Sequence, residues 1–169
     1  MMTLSYTFNG SIDTSYEAWD QWIADAMEIF NMLGYQPNYY GFGVVGRDDV
    51  KIRPIRGMKR KIENAKKIGA DILDGAFFVL PENFRSAAFD YIITLSRCRN
   101  YETLILNKDY EMHVDEGRIV ELLRRNIHAV EGEIYEMDME DCPEMYARKA
   151  NPGMPIKSYK HIAVLNPFE

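Results

Sequence analysis

An amphipathic segment near the start of the chain, DTSYEAWDQWIADAMEIFNMLGY, constrains the fold more than any other feature. Its apolar residues recur at spacings of three and four, which places them on one face of an α-helix. The residues of that face are Trp19, Trp22, Ile23, Ala26, Met27, Phe30 and Leu33. Thr14 and Glu17 fit a capping box, and Gly34 stands where a glycine commonly ends a helix. We therefore predict a main core helix.

Short runs on either side of this helix have the pattern of β-strands. TLSYTFNG alternates apolar with hydroxyl residues, as a half-buried strand does, and ends in the turn signal Asn9-Gly10. NYYGFGVVG and DVKIRPI are rich in aromatic and β-branched residues, and Pro54 confines the second run to a sheet edge or a strand end. Each of the three runs is predicted to be a strand.

Three more helices are predicted further along the chain. GMKRKIENAKKIGA carries a narrow apolar stripe and ends at Gly69. VDEGRIVELLRRNIHAV has inward-facing apolar residues after Asp115, which is predicted to be its N-cap. A short helix is predicted in EDCPEMYARK, which has a proline at its first turn.

The remaining strands are predicted to form a hairpin and three single runs. Residues 89–95 and 101–106 are β-rich, and the loop 97–100 joins them. The segment NFRSAAFDYIITLSR also fits a helix, because several of its apolar residues have helical spacing. Single strands are predicted in AFFVLP, GEIYEMD and SYKHIAVLNPF.

Interspersed strands and helices, with hairpins among them, favour the α+β class. A length of 169 residues, 47% of them apolar, suits one globular domain. We predict a single α+β domain, residues 1–169, with a mainly antiparallel sheet and three to four helices packed on it. The chain has neither an apolar run of the ~18 to 20 residues that span a bilayer nor a signal-peptide pattern. It is expected to be cytoplasmic, with Cys98 and Cys142 as free thiols.

Charge is unevenly distributed along the chain. The net charge of −6 argues against nucleic-acid binding, which depends on clustered Lys and Arg. Residues 51–67 nevertheless contain eight basic residues and one acid, whereas residues 131–144 contain seven acids and no base. Each block is interpreted as a solvated face, or the two lie close together and partly neutralise. The basic block leaves a nucleic-acid contact open as a third possibility.

The stretch YYGFGVVGRDD contains the spacing G-x-G-x-x-G at Gly41, Gly43 and Gly46. A dinucleotide site needs the third glycine to open a helix, whose amides meet the pyrophosphate. Here Gly46 is followed by Arg47, two aspartates and a β-like run that contains a proline. The pattern therefore predicts a glycine-bearing strand followed by a polar turn, and the glycines are expected to allow close packing.

The sequence contains no motif of a common enzyme class. Phosphate-binding loops, zinc-protease helices, nucleophile elbows and C-x-x-C pairs are missing, and the three histidines lie in unrelated contexts. Asp48 and Asp49 are explained by a polar turn, and the acids near residue 140 lack the glycine and closing glutamate of an EF-hand loop. We predict no catalytic residue, no cofactor and no metal ligand.

The acidic segment EGEIYEMDMEDCPEMYARK interleaves carboxylates with aromatic and methionine side chains. Such side chains supply anchors among charges that steer a basic partner, although they also fit a core role. The residues predicted to bind a partner are Glu133, Tyr135, Glu136, Asp138, Glu140 and Asp141, together with Tyr39 and Tyr40.

With these features the chain resembles the small immunity proteins that accompany bacterial polymorphic toxins. The resemblance lies in the acidic α+β domain of this size, the missing catalytic signature, and acidic stretches such as EGEIYEMDMEDCPE and YETLILNKDYE. It implies that the protein neutralises a cognate toxin by covering its active site or an essential surface. Nuclease toxins tend to be basic, which suits an acidic inhibitor, whereas the basic helix around residues 59–67 departs from that pattern.

A different class of function is the alternative. In it the chain is a small-ligand module or an enzyme, and the glycine-bearing strand leaves room for a ligand against Tyr39, Tyr40 and Phe42.

Overall fold

In the computed structural model, which describes residues 1–46, 51–150, 153 and 155–168, the strands form one sheet. The sheet has eight strands in the order β3-β2-β4-β5-β6-β1-β7-β8, and every neighbouring pair is antiparallel. The strands are β1 Met2–Ser11, β2 Tyr39–Val44, β3 Arg53–Pro54, β4 Ile72–Val79, β5 Ile93–Cys98, β6 Tyr101–Asn107, β7 His128–Asp138 and β8 Lys160–Val164. The helices of the described residues are α1 Tyr16–Leu33, α2 Met58–Ile68, α3 Glu116–Arg124 and α4 Pro143–Ala147. The predicted α+β fold with a mainly antiparallel sheet is confirmed.

The helix α1 packs its aromatic face on one side of the sheet, which we call the helix face. Trp19 and Trp22 are fully buried and meet the Phe42 ring edge-on at 6.0 and 6.3 Å between ring centroids. Phe77 stacks on Trp22 at 5.2 Å. The helices α2 and α3 cover the same face and add their apolar stripes to this cluster. Burial of large aromatic rings in edge-on and stacked contact is a main source of stability for this side of the sheet.

The ends of α1 are capped by local side-chain and backbone bonds. The Ser15 hydroxyl accepts the backbone N–H of Ala18, so the N-cap is Ser15 and not the predicted Thr14. Gly34 ends the helix in the left-handed conformation with φ 87°, as predicted. The N-cap differs from the prediction by one residue because Thr14 and Ser15 are adjacent, and the hydroxyl of either residue type can accept a backbone N–H of the first helical turn.

Two charged side chains lie buried in the aromatic cluster of the helix face. Glu102 on β6 and Arg97 on β5 are opposite each other in the strand register. The Trp22 indole N–H donates to Glu102 Oε1 at 3.0 Å, and the Arg97 guanidinium lies 4.5 Å from the Trp19 ring centroid. Burial raises the pKa of the Glu102 carboxyl well above its usual range, despite the charge of Arg97.

The opposite side of the sheet, which we call the hydroxyl face, carries small polar side chains at its centre. Its buried hydroxyl residues are Thr3, Ser5, Thr7, Thr94, Ser96 and Thr103. The helix α4 and its flanking turns cover this face, anchored where the Tyr135 hydroxyl donates to the carbonyl of Pro143 at 3.0 Å. A smaller apolar cluster around Phe78, Leu80 and Met139 fills part of the remaining space. The central strand β1 is therefore buried on both sides, and not half-buried as predicted.

Some boundaries differ from the sequence prediction. Asn9 and Gly10 do not form a turn but continue β1, where the pairing with β7 shifts register. A Cβ on Gly10 would lie 2.0 Å from the carbonyl oxygen of His128, so this glycine allows a close backbone approach. The predicted 89–106 hairpin forms as Ile93–Cys98 and Tyr101–Asn107, with a shorter loop. The helical alternative for that segment is wrong.

The predicted helix VDEGRIVELLRRNIHAV ends earlier than expected, at Arg124, and its last residues from His128 begin β7. Of the predicted strand DVKIRPI, only Arg53–Pro54 is a strand among the described residues.

The remaining elements form closer to the expected residues. The helix α2 ends at Gly69, α3 begins after the N-cap Asp115, and α4 has Pro143 in its first turn. Pro54 lies in β3 at the edge of the sheet, as predicted. Ile68 differs, because it belongs to the predicted apolar stripe of α2 and is 61% exposed. Cys98 and Cys142 are free thiols.

Candidate functional site

The cavity at the β7–β8 end of the sheet is the strongest candidate site on the hydroxyl face. Its volume is about 540 Å³, and strands β1, β7 and β8 form it together with α4. It is lined by Thr7, Asn9, Glu131, Gly132, Glu133, Tyr146, Ala147, Lys149, His161 and Val164. The Asn9 side-chain amide donates to the carbonyl of Ala147 at 2.7 Å, which fastens α4 above the cavity.

Glu133 is the centre of the polar contacts in this cavity. The Tyr146 hydroxyl donates to Glu133 Oε2 at 2.8 Å, and the Tyr159 hydroxyl donates to Oε1. His161 Nδ1 lies 2.9 Å from the same Oε1 atom. Three groups from α4, from the segment before β8 and from β8 itself thus converge on one carboxylate of β7. Such a carboxylate is held in one orientation, because every rotation of its side chain would break one of these contacts.

Three tyrosines of this region, Tyr135, Tyr146 and Tyr159, also contact one another with their rings edge-on or tilted. Ring centroids are 4.6 Å apart for Tyr135 and Tyr146, and 5.0 Å apart for Tyr146 and Tyr159. Burial raises the pKa of Tyr135 to about 12, although its hydroxyl accepts from Thr7 at 3.2 Å. The pKa of Tyr146 is raised for the same reason, and by its bonds to Tyr159 and Glu133. All three phenols therefore stay protonated at neutral pH and act as hydrogen-bonding groups.

Most of the other carboxylates of the acidic segment have partners within the chain. The Lys108 ammonium donates to Glu136 at 2.5 Å and lowers the pKa of Glu136. Asp138 accepts the backbone N–H of Glu140 at 2.9 Å, and this bond lowers its pKa. The amino group of Met1 also donates to Asp138, at 3.2 Å. These internal partners keep Glu136 and Asp138 ionised. Both groups therefore contribute negative charge to the surface, although some of their oxygen atoms are already hydrogen-bonded.

Two further contacts complete the description of this segment. Glu131 pairs with Lys149 across the cavity mouth, and Asp141 accepts the hydroxyl of Ser158. In the basic helix α2, Lys66 forms an ion pair with Asp20 of α1 at 2.9 Å.

The structure brings some of the predicted partner-binding residues together and separates others. Glu133 and Tyr135 lie in the cluster described above, and Glu136, Asp138, Glu140 and Asp141 follow along β7 and the turn after it. Tyr39 and Tyr40 lie on β2, which four strands separate from β7.

Two of the predicted residues are not on the surface. Tyr135 is 0% exposed and Tyr40 is 2% exposed, so neither side chain presents an area to a partner in this structure. Tyr39 is half-buried against Phe84, with 5.1 Å between ring centroids. Both tyrosines are buried because their side chains point from the sheet toward the elements that cover it. The alternation of acidic and aromatic residues in the sequence does not reveal that cover.

The sequence prediction missed Tyr159 and His161. Both are separated by more than twenty residues from Glu133, and they meet it only because β8 pairs with β7 in a particular register. Their spacing of two, in a run predicted to be a strand, was the signal that they share one side of the sheet.

The glycine-bearing strand β2 has a packing role in this structure. Phe42 is buried under the two tryptophans of α1, and a Cβ on its cross-strand neighbour Gly75 would lie 2.4 Å from the Phe42 ring. Gly43 leaves room for Asp74, which accepts the Gly43 N–H at 3.0 Å. No helix follows Gly46 directly among the described residues, and residues 47–50 lie outside them. The close packing predicted for the glycines is thus present at Gly43, and it is also provided by Gly75.

A second cavity lies between β2 and α2, on the helix-face side. Its volume is about 420 Å³, and it is lined by Tyr40, Val44, Arg53, Arg60, Lys61, Asn64, Ala65 and Ile68. Three of these side chains are basic, which suits an anionic ligand.

Within the described residues, no group of three or more His, Cys, Asp or Glu side chains is placed to hold a metal ion. The described helices are all too short or too polar to cross a membrane. No protein-family model, no curated protein and no solved structure matches the chain.

Proposed function

We propose that the protein is a non-enzymatic inhibitor that binds a partner protein, and that it is a cytoplasmic immunity protein for a cognate bacterial toxin. The observation that carries the proposal is the surface at the β7–β8 end, where exposed apolar side chains stand beside carboxylates. Val164 is 76% exposed and Val130 is 73% exposed, and both adjoin the acidic strand β7 or belong to it. Apolar anchors within a charged rim are typical of protein interfaces.

The strand β8 offers a partner a way to bind through its backbone. It is the last strand of the sheet and pairs with β7 on one side only. Four of its five side chains are exposed. An edge strand of this kind can accept a strand from another protein, with main-chain hydrogen bonds giving affinity and alternate side chains giving specificity.

The acidic segment is proposed to act mainly through its long-range field. Seven carboxylates lie between residues 131 and 144, and the net charge of the chain is −6. Because internal partners hold most of these carboxylates, they steer a basic partner toward the surface, and the exposed apolar residues supply the contact. Charge reversal at Glu136 or Asp138 would also break internal bonds, so Val164 gives a cleaner test of the surface.

The test is co-expression with the product of the adjacent reading frame. We expect the chain to form a 1:1 complex with that product and to restore growth of cells that produce it. Val164→Glu should weaken the complex by tenfold or more, whereas Ile68→Glu, at a similarly exposed apolar residue on α2, should change the dissociation constant less than twofold. A wild-type chain that gives neither complex nor rescue would contradict the function. Equal losses of affinity in the two variants would contradict the proposed binding surface but not the proposed function.

A second candidate, a small-ligand module, is favoured by the basic cavity beside β2. Arg60 lines this cavity, while Lys59 precedes it on the same helix and does not. In this case Arg60→Ala should weaken binding of inorganic pyrophosphate by about tenfold and Lys59→Ala should not, measured by isothermal titration calorimetry. Equal binding by both variants would rule out the cavity as the site.

A further inference from the structure

The cavity at the β7–β8 end of the sheet, which we call the β7–β8 cavity, offers a ligand mainly hydrogen-bond acceptors. Several of its donors are already used. The Tyr146 hydroxyl and His161 Nδ1 donate to Glu133. The Asn9 side-chain amide donates to the carbonyl of Ala147. Because Nδ1 of His161 donates to a carboxylate, Nε2 of the neutral imidazole is an acceptor. Such a cavity suits a ligand that carries several donors.

Two acceptors of the β7–β8 cavity lie side by side. Lys149 pairs with Oε1 of Glu131, and Oε2 of Glu131 has no hydrogen-bond partner among the described residues. The side-chain oxygen of Asn9 likewise has none in the described part of the chain. Asn9 and Glu131 are directly opposite each other in the register of β1 and β7. Opposite residues of an antiparallel pair have Cβ atoms about 4.5 to 5.5 Å apart, so one planar group can reach both oxygens.

Both acceptors are open to a ligand. The side chain of Glu131 is 51% exposed, and that of its partner Lys149 is 61% exposed. Asn9 is half-buried and lines the same cavity. An ion pair as exposed as this one contributes little to stability, so Lys149 can move aside at small cost when a ligand enters.

The charge of the β7–β8 cavity favours a cation. The carboxylates of Glu131 and Glu133 line it together with one ammonium group, that of Lys149, and a neutral His161 adds no charge. Two negative charges and one positive charge leave the cavity negative. A third cavity, of about 320 Å³, lies on the other side of α4 against β4 and β5, and it is lined by one carboxylate and one guanidinium. The β7–β8 cavity is therefore the more negative of the two cavities beside α4.

We propose that the β7–β8 cavity receives the guanidinium group of an arginine side chain of the partner protein, which donates to Glu131 Oε2 and to the Asn9 side-chain oxygen. A guanidinium is planar and has five N–H donors and no acceptor, so it matches adjacent acceptors better than an ammonium does. Val164 lines the same cavity and is 76% exposed, which gives the apolar stem of the arginine a surface to contact. This inference rests on the proposed function and specifies the chemistry of the partner at that surface.

The test compares two capped amino acids, Nα-acetyl-arginine N-methylamide and the corresponding citrulline derivative. Citrulline has the length and shape of arginine, but its urea group is uncharged and places a carbonyl oxygen where arginine has N–H donors. We expect the arginine derivative to bind at least tenfold more tightly at low ionic strength, because it keeps the charge and all of the donors. The measurement is an amide chemical-shift titration, in which the shifted amides should belong to β1, β7 and α4.

Glu131→Gln and Glu82→Gln are the matched variants. Glu131→Gln keeps the shape of the side chain and removes its charge, and should weaken binding of the arginine derivative by about fivefold or more. Glu82 is exposed, lies in the loop between β4 and β5 and does not line the β7–β8 cavity. Glu82→Gln causes the same loss of net charge and should change the affinity less than twofold. Equal losses would show that overall charge alone attracts the ligand, and they would overturn the site.

Three further results would overturn the inference. They are equal binding of the arginine and citrulline derivatives, no binding of the arginine derivative up to about 10 mM, and tenfold tighter binding of free L-arginine than of the capped form. The last result would assign the cavity to a small metabolite instead of a partner protein. Failure of the proposed function has a different sign, because it is the absence of complex and rescue in the co-expression test. A complex that forms while the arginine derivative does not bind would contradict only this inference.

Discussion

On the helix face three longer helices cover the strands, and α1 packs its aromatic rings against those of the sheet, whereas on the hydroxyl face small polar side chains lie under the five-residue helix α4 and its flanking turns. The first side is filled by rings that contact one another at 5.2 to 6.4 Å between centroids. The second side carries the two cavities next to α4, and several of its buried hydroxyls make no hydrogen bond to the described part of the chain.

The difference between the faces separates stability from binding. Close packing of large rings at the centre of the helix face makes each added atom costly, and the cavity on that side lies at its edge, between β2 and α2. Short covering elements over small side chains leave two cavities beside α4. We therefore assign stability mainly to the helix face, whereas the proposed partner surface lies at the β7–β8 end of the sheet.

The largest effect that would test this comparison is expected at Gly75. An added Cβ would lie 2.4 Å from the Phe42 ring and 3.0 Å from Trp19, and Phe42 is itself fixed by the two tryptophans. Gly75→Ala should lower the free energy of unfolding by about 3 kcal/mol, measured by urea denaturation.

Gly117→Ala is the control, because its Cβ meets only Asp115 at 3.9 Å within helix α3. It should stabilise the protein by up to about 1 kcal/mol. Equal effects would show that the helix face is not tightly packed.

The second expected effect is that the free energy of unfolding depends on pH through the titration of Glu102. Burial raises the pKa of Glu102 in the folded protein above its value in the unfolded chain. The folded protein therefore keeps this proton up to a higher pH than the unfolded chain does. The contribution of protonated Glu102 to the free energy of unfolding is complete below the pKa of the unfolded chain, and it is lost as the pH rises through the folded pKa. Glu102→Gln cannot titrate and still offers an oxygen to the Trp22 indole N–H.

The measurement is the difference in unfolding free energy between Glu102→Gln and the wild type from pH 4 to pH 8. As the pH rises, the unfolding free energy of the variant should increase relative to that of the wild type. The limiting slope is about 1.4 kcal/mol per pH unit between the unfolded and the folded pKa of Glu102. A difference that stays constant over this range would mean that Glu102 is ionised in the folded protein.

The smallest effects are expected among the hydroxyls. Thr7 and Thr103 share a hydrogen bond of 2.7 Å, so Thr7→Val leaves the Thr103 hydroxyl without that partner. Its cost should be about 1 to 2 kcal/mol, measured by thermal or urea denaturation. Ser96→Ala removes a hydroxyl that has no hydrogen-bond partner among the described residues, and should change stability by less than about 0.5 kcal/mol. A large loss in the serine variant would show that its hydroxyl has a partner and that the two faces differ less than described.

Periodicity was sufficient to predict the elements but not the way in which they cover the sheet. The spacing of Trp19 and Trp22 fixes which side of α1 is apolar, and a helix with such a side must bury it. The alternation around Ser5 and Thr7 indicates a strand with a polar side, yet burial of that side depends on α4, which is more than 130 residues away. Local pattern carries no information about such a distant cover.

The candidate site was predictable only in part for the same reason. Glu133 lies in an acidic, aromatic segment that is conspicuous in the sequence, whereas Tyr159 and His161 reach it through strand pairing. The burial of Tyr40 and Tyr135 likewise follows from which strands lie beside them.

The position of β1 in the sheet has a consequence for synthesis of the chain. β1 is made first, yet its neighbours are β6 and β7, whose residues are Tyr101–Asn107 and His128–Asp138. At roughly 5 to 20 residues per second, a ribosome takes about 5 to 20 s to go from the end of β1 to the first of these strands. During that interval an alternating apolar strand has no partner of its own. The nascent chain is thus expected to need a chaperone at its first eleven residues, and to complete its sheet late, because the pairing is so distant in sequence.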